Sequence, residues 1–257
     1  MLRRLLIASG AAVPWDPSVL SPQIWLDDSS PITDVGGSAS AWGNKGTASG
    51  SFTQNTAARR PLIVASGLNG RRTVRFDGAD DFLSSTESPI RTVFAGASAA
   101  WLFAVVKRAA TTSKISAILD ARTGGGTASR FACYSGADVS GYENAGTLVA
   151  RRLDADAAGV LRSPASVTSS WSMLYFSMEW SSGIGSISAN GGALDSASLT
   201  SSGLSAASLP ASVYVGSAAT SYYSDNEVAA LVSGSGVLPS SENVSRLFQW
   251  ARDRFGL

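Results

Sequence analysis

The sequence predicts an all-β sandwich or barrel, and three observations predict it. Short β-rich runs recur along the chain with Gly, Ser and Asn between them. Asn190-Gly191 follows one such run, and both central positions of a type I′ hairpin turn want positive φ. Only one stretch, close to the C-terminus, carries convincing helical spacing.

The elements follow in order. Pro14, Pro17, Pro22 and Pro31 punctuate the first 31 residues, which therefore read as extended and turn-rich. From Phe52 to Leu83 short apolar pieces alternate with Gly, Asn and Asp. Residues 101–107 form an apolar strand long enough to be buried on both faces. Strand signals follow at 115–119, 130–134, 147–151 and 172–180, the last notably aromatic. Residues 187–189 lead into the Asn190-Gly191 turn, and 213–215 and 228–232 complete the set. The Ser-, Gly- and Ala-rich stretch 181–212 reads as a linker or as weak surface strands, and its embedded turn and spaced Ile and Leu favour strands.

The helix spans 240–255. Leu238-Pro239 stops the preceding chain, Ser240 or Ser241 caps the N-terminus, and Glu242 lies in the first turn. Val244, Leu247, Phe248, Ala251 and Phe255 make one apolar stripe, and Gly256 stands where a C-terminal glycine is expected. The stripe should dock on the sandwich. No period of 20 to 50 residues and no heptads are present, so a solenoid, a propeller or a coiled-coil stalk is not encoded.

Composition removes several functions. The 257 residues carry 20 basic and 19 acidic side chains, no histidine and one cysteine. A net charge of +1 offers no basic footprint for nucleic acid. Without histidine there is no Ser-His-Asp triad, no Cys-His pair and no histidine-based zinc site. The lone Cys133 can form no disulfide within the chain. The longest apolar run, 99–106, falls far short of the ~20 residues of a membrane helix. Residues 1–13 contain Arg3, Arg4 and a short apolar stretch, as a signal peptide would, but Ser9 and Gly10 interrupt it. An extended arm over residues 1–17, with Leu2, Arg3, Arg4, Leu5 and Trp15 as its anchoring residues, is the expectation. It precedes a single domain over 18–257.

A set of phrases then resembles a known family. Leu20-Ser21-Pro22-Gln23-Ile24-Trp25-Leu26-Asp27 is similar to the opening strand of concanavalin A-like (laminin G-like) jelly-roll domains of phage and bacterial surface proteins. Ala41-Trp42-Gly43-Asn44-Lys45-Gly46 resembles their Trp-containing turn, and Gln54 and Arg60-Pro61 resemble the next steps. The most specific piece runs from Leu68-Asn69-Gly70 through Val74-Arg75-Phe76-Asp77-Gly78-Ala79-Asp80-Asp81-Phe82-Leu83. Ser188-Ala189-Asn190-Gly191, Val213-Tyr214-Val215-Gly216 and the closing helix extend the resemblance over residues 18–257. Two departures stand out: Ala229-Ala230-Leu231 replaces an Ala-Glu-hydrophobic phrase, and the first turn lacks the usual Asp-Ser-Gly-Asn wording. Independently of ancestry, Phe76 can fill the core, Gly78 permits a tight turn, and Asp77 or Asp80 can accept from backbone donors.

The resemblance implies a concanavalin A-like jelly-roll β-sandwich with an extended N-terminal arm and one short C-terminal helix. Sandwich glycosidases of that superfamily carry Glu-x-Asp-x-x-Glu on one strand, since paired acids divide the roles of proton donor and nucleophile. Here the strand 172–180 holds only Glu179, so no catalytic residue is assigned and no enzyme is expected. Asp27-Asp28 and Asp80-Asp81 could offer oxygens to calcium, but they match no calcium loop and read better as caps and turns. No metal or cofactor is assigned. Gly124-Gly125-Gly126 lacks the Gly-Lys-Ser/Thr ending of a phosphate loop. Cys133 reads as a small core residue.

Tyr222, Tyr223 and Trp180 are the candidates for contact with carbohydrate or a partner. The function that follows is non-enzymatic: a structural protein of a tailed-phage virion, a capsid-surface decoration or head-fibre protein attached through its arm. Its expected partners are other virion proteins, with no nucleic acid and no membrane, and a homo-oligomer such as a trimer. The alternative is a carbohydrate-binding tail or cell-surface adhesin that takes host surface glycans on loop-end aromatics.

Overall fold

The structure, a computed structural model, describes residues 14–108, 115–122, 129–136, 142, 144–166, 169–218 and 222–257. The proposed anchors Leu2, Arg3, Arg4 and Leu5 and the triple glycine Gly124-Gly125-Gly126 lie outside them. In chain order the elements are β1 (Ile24–Asp27), β2 (Ile32–Val35), β3 (Ser38–Gly43), β4 (Ser51–Thr53), β5 (Leu62–Leu68), β6 (Arg71–Arg75), β7 (Leu83–Ser85), the short helix α1 (Ser88–Thr92) and β8 (Ala99–Arg108). Then come β9 (Ala117–Arg122), β10 (Ser129–Ser135), β11 (Ala145–Ala150), β12 (Gly159–Ser166), β13 (Ser172–Glu179), β14 (Ile184–Ala189), β15 (Asp195–Ser198), β16 (Ser212–Val215), β17 (Asn226–Ser235) and the helix α2 (Ser241–Phe255).

All named pairings are antiparallel, and they resolve into two layers. The first runs β15-β14-β13-β8-β17, with β1 and β6 sharing the far edge of β17 and β5 beyond β6. The second runs β12-β11-β10-β9-β16-β7-β4-β3-β2. A single pairing of Ser38 with Leu62 joins them at one edge. This is the predicted jelly-roll β-sandwich.

The alternation of side chains explains both cores. On β8, Ala100, Leu102, Ala104 and Val106 point into the space between the layers, where they meet Leu119, Phe131, Leu148 and Val213 from the second sheet. Trp101, Phe103 and Val105 point the other way and are covered by Val244, Leu247, Phe248, Ala251 and Phe255 of α2. A strand covered on both faces reads as a continuous apolar run, which is why 101–107 stood out in the sequence. Ring contacts hold the helix down: Phe103 meets Phe248 at 5.2 Å and Trp250 at 6.3 Å.

The ends of α2 follow the expected capping. Ser240 accepts from the Asn243 N–H, and Gly256 adopts the left-handed conformation with φ 68°. The carbonyls left over at the C-terminus are taken by Asn69, whose Nδ2 donates to Phe255 O and Gly256 O, and by Arg71 Nε, which donates to Arg254 O. Asn69-Gly70 itself is a two-residue hairpin turn with φ 48° and 80° between paired Leu68 and Arg71. Asn190-Gly191 adopts the same positive φ values, 53° and 83°.

One reading needs correction. The first 31 residues are not wholly extended: Pro17–Leu20 form one 3₁₀ turn, because Pro17 supplies its fixed φ at the first position and Asp16 accepts from the Ser18 N–H. Residues 181–212 hold the strands that the sequence favours over a linker, with β14 and β15 paired from Ile184↔Ser198 to Ile187↔Asp195.

Candidate functional site

The outer face of the second sheet is the candidate site. Its composition follows from the period of two. Val213 and Val215 face the core, so Tyr214 faces out; Leu119 and Ala121 face the core, so Asp120 and Arg122 face out. Phe131 and Cys133 likewise leave Ala132 and Tyr134 on the outer side. The register lines these residues up: Tyr214 stands opposite Asp120, and Asp120 opposite Ala132.

One end of this face is an aromatic platform. The Phe82 ring lies 5.9 Å from Tyr214 and 6.4 Å from Tyr223, and all three rings are half-buried. Tyr223 is held there by a bridge to Ser217. Beside the platform runs the acidic phrase. Asp77 Oδ1 accepts from Ala79 N at 2.8 Å and Asp80 N at 3.3 Å, Gly78 takes φ 79°, and Phe76 is buried. Burial, then the charges of Asp77 and Asp80, push the Asp81 carboxyl up to about 6. Oxygens of Asp77, Asp80 and Asp81 all lie within 4.8 Å of one another, the spacing that an oxygen-liganded cation would need. Asp80 also pairs with Arg59 at 3.7 Å.

One strand inward the face is polar and closed. Arg122 donates through one terminal nitrogen to Ser129 Oγ at 3.3 Å and through the other to Ala218 O at 3.0 Å. Its Nε lies 3.6 Å from Asp120 Oδ2. Burial pushes the Asp120 carboxyl up to about 6, against the pull of Arg122 and the nearby Ser129 hydroxyl. Burial, followed by the Asp120 charge, pushes the Tyr134 phenol up as well.

The residues singled out in the sequence fare differently. Trp180 is not a contact residue. It is fully buried, its Nε1 donates to Arg151 O at 3.0 Å, and its ring meets Phe131 edge-on at 6.3 Å. Leu174, Phe176, Met178 and Trp180 share the inner face by simple alternation. Tyr222 is half exposed with φ 46°, an uncommon conformation for a tyrosine. Tyr223 joins the platform. Phe82 and Tyr214 were missed as site residues; the signal was Tyr214 alternating with two core valines.

Asp27 and Asp28 are ion-pair partners. Burial alone would push Asp27 up, but Lys45 at 2.8 Å, the Ser29 hydroxyl and Arg254 hold its carboxyl below the usual range. Asp28 accepts from Arg71 and Arg254. Trp15 packs against the α2 cluster and lines a groove of about 640 Å³ with Trp250, Arg71, Arg246 and Gln249. Among the described residues no helix is long and apolar enough to cross a membrane.

No protein-family model and no curated protein sequence matches the chain. Solved structures resemble it in fold. The receptor binding domain of botulinum neurotoxin type G superposes with a TM-score of 0.61 at 7% identity, over 90% of this chain and 51% of that one. The serotype D ligand binding domain in complex with N-acetylneuraminic acid gives 0.59 at 9% identity, with the same coverage. The Trypanosoma rangeli sialidase in complex with sialic acid gives 0.59 at 17% identity, over 96% of this chain and 35% of that one. The chain thus spans about half the length of the neurotoxin domains and about a third of the sialidase. It has the fold of the concanavalin A-like jelly rolls.

Proposed function

We propose that this chain is a non-enzymatic attachment module that holds a surface carbohydrate on the platform of Phe82, Tyr214 and Tyr223. The observation that carries the reading is those three rings, grouped and half-exposed beside a row of hydrogen-bonding side chains. Flat aromatic faces stack on sugar rings while polar neighbours fix orientation. Two of the solved structures of similar fold hold sialic acid, which agrees with a binding role for the scaffold. Glu179 supports the non-enzymatic part, since its cross-strand neighbours are Ala99 and Ile184 rather than a second acid.

The test is a glycan array probed with the full chain, Tyr214→Ala and Tyr223→Ala, with circular dichroism as the folding control. Each variant should bind about tenfold or more weakly, equivalent to about 1.4 kcal/mol. Unchanged binding sinks the platform. Polysaccharide hydrolysis that disappears in Glu179→Gln sinks the non-enzymatic reading.

The module's proposed setting is a virion, and the support for that is the resemblance of residues 18–257. Trp15, packed beside α2, fastens the end of the arm to the domain. Deleting residues 1–17 should abolish incorporation into particles, and full occupancy without them would count against the arm as anchor.

A further inference from the structure

The row beside the platform contains hydrogen-bonding capacity that the protein leaves unused. Asp120 is fully buried, and the donors nearest its carboxylate, the Ser129 hydroxyl and the Arg122 Nε, both lie outside hydrogen-bond geometry. The Arg122 Nε, 3.6 Å away, is also buried without an acceptor in hydrogen-bond reach. The terminal nitrogens of Arg122 are committed to Ser129 and Ala218. A buried carboxylate that accepts nothing is costly, and such groups usually mark a place for water, an ion or a ligand.

The pattern of unused valence disfavours an ion. The site offers acceptors and one N–H donor side by side. A cation there would face the Arg122 guanidinium, and an anion would face the Asp120 carboxylate. A hydroxyl satisfies both, because it donates to the carboxylate and accepts from Nε. Adjacent hydroxyls on one uncharged sugar ring would use both carboxylate oxygens. Tyr214 stands opposite Asp120, one strand spacing of about 4.8 Å away, so a ring stacked on Tyr214 has its edge beside the pair.

We propose that Asp120 and Arg122 are the hydroxyl-reading pair of a subsite for uncharged sugars, with Tyr214 as its stacking wall. The proposal rests on the attachment reading above and names its ligand class. An acidic sugar is disfavoured, since its carboxylate would meet Asp120 and find Arg122 already neutralised. Asp120 is fully buried, so hydroxyls reach it only when the side chains over it move aside.

The experiment measures binding of the full chain to dextran, galactan and mannan, with polysialic acid as the acidic comparison. Asp120→Asn, Arg122→Gln and Tyr214→Ala are tested in parallel, with thermal melts to verify folding. Asp120→Asn keeps the shape and removes a buried charge, so it should fold. The proposal expects binding to at least one uncharged polymer, and a tenfold or greater loss in both Asp120→Asn and Arg122→Gln. Full affinity in a folded Asp120→Asn overturns it, the unpartnered oxygens then holding an internal water only. Binding to polysialic acid alone also overturns it. In either case a loss in Tyr214→Ala leaves the platform standing. Failure of the unmodified chain to bind any glycan overturns the platform and this pair together.

Discussion

The ring of Phe248 on α2 meets the ring of Phe103 on β8 edge-on, with centroids 5.2 Å apart and planes at 84°. Both are almost fully buried, so the outer face of the first sheet is sealed by the helix. Phe248→Ala should therefore cost about 3–5 kcal/mol, from lost transfer energy plus the cavity left behind. Urea denaturation measures it, and a loss under 1 kcal/mol would mean that the helix is not part of the cooperative core.

Asp28 joins β1 to the far end of the chain. Its Oδ1 accepts from Arg254 at 2.9 and 2.6 Å and its Oδ2 from Arg71 at 2.8 Å. Asp28→Ala should cost about 1–2 kcal/mol, since hydrogen bonds to charged groups lie in that range when partly shielded. The exposed Glu242–Arg246 pair on α2 is the contrast, and Glu242→Ala should cost about 0.5 kcal/mol or less. Equal losses in the two variants would refute the distinction.

Asp120 should make stability fall with rising pH. Its folded value is about 6, against an ordinary 3.8. Below the ordinary value both states are protonated and there is no penalty. Between the two values the unfolded chain ionises while the folded chain keeps its proton, so stability drops; above about 6 the drop is complete, at about 2–3 kcal/mol. Arg122 and Tyr134 are the ionisable neighbours on this face. Asp81 acts in the same direction, and Asp27, held low, acts in the opposite one as pH falls below 3.8. Asp120→Asn should thus stabilise the protein by about 2–3 kcal/mol at pH 7.5 and leave it unchanged at pH 3.5. Denaturation midpoints at the two pH values check this, and a variant equally affected at both would contradict it.

Gly216 has φ 83°, and a Cβ there would lie 2.2 Å from ring carbons of buried Phe76. Gly216→Ala should cost at least about 3 kcal/mol, because backbone strain and overpacking act together. Gly36 also has positive φ, 65°, but open space around it, so Gly36→Ala should cost only about 1–2 kcal/mol. Thermal melts of the two variants separate the contributions.

Much of the fold was legible in the sequence, because its signals are local. The run at 101–107, the Asn190-Gly191 turn and the capped helix each depend on residues within a few positions of one another. Asn69-Gly70 was equally clear as a turn chemistry, yet it entered only as part of a family phrase. Trp180 was misplaced although Leu174, Phe176 and Met178 already set its side of the strand. The strands at Gly159–Ser166 and Ile32–Val35 escaped notice because mixed polarity there gives no clean alternation.

By itself the sequence determined the all-β class, the turn positions, the helix with its caps and the lack of histidine chemistry. Each is set by composition, by backbone φ or by side chains within one turn of the chain. Only the tertiary structure decided that Tyr214 stands beside Asp120, that Phe82 joins Tyr223, and that Asp28 reaches Arg254. Those neighbours come from strands far apart in sequence, and their meeting depends on register and on which layer covers each face. Such relations are fixed when the sheets assemble, so no local pattern records them.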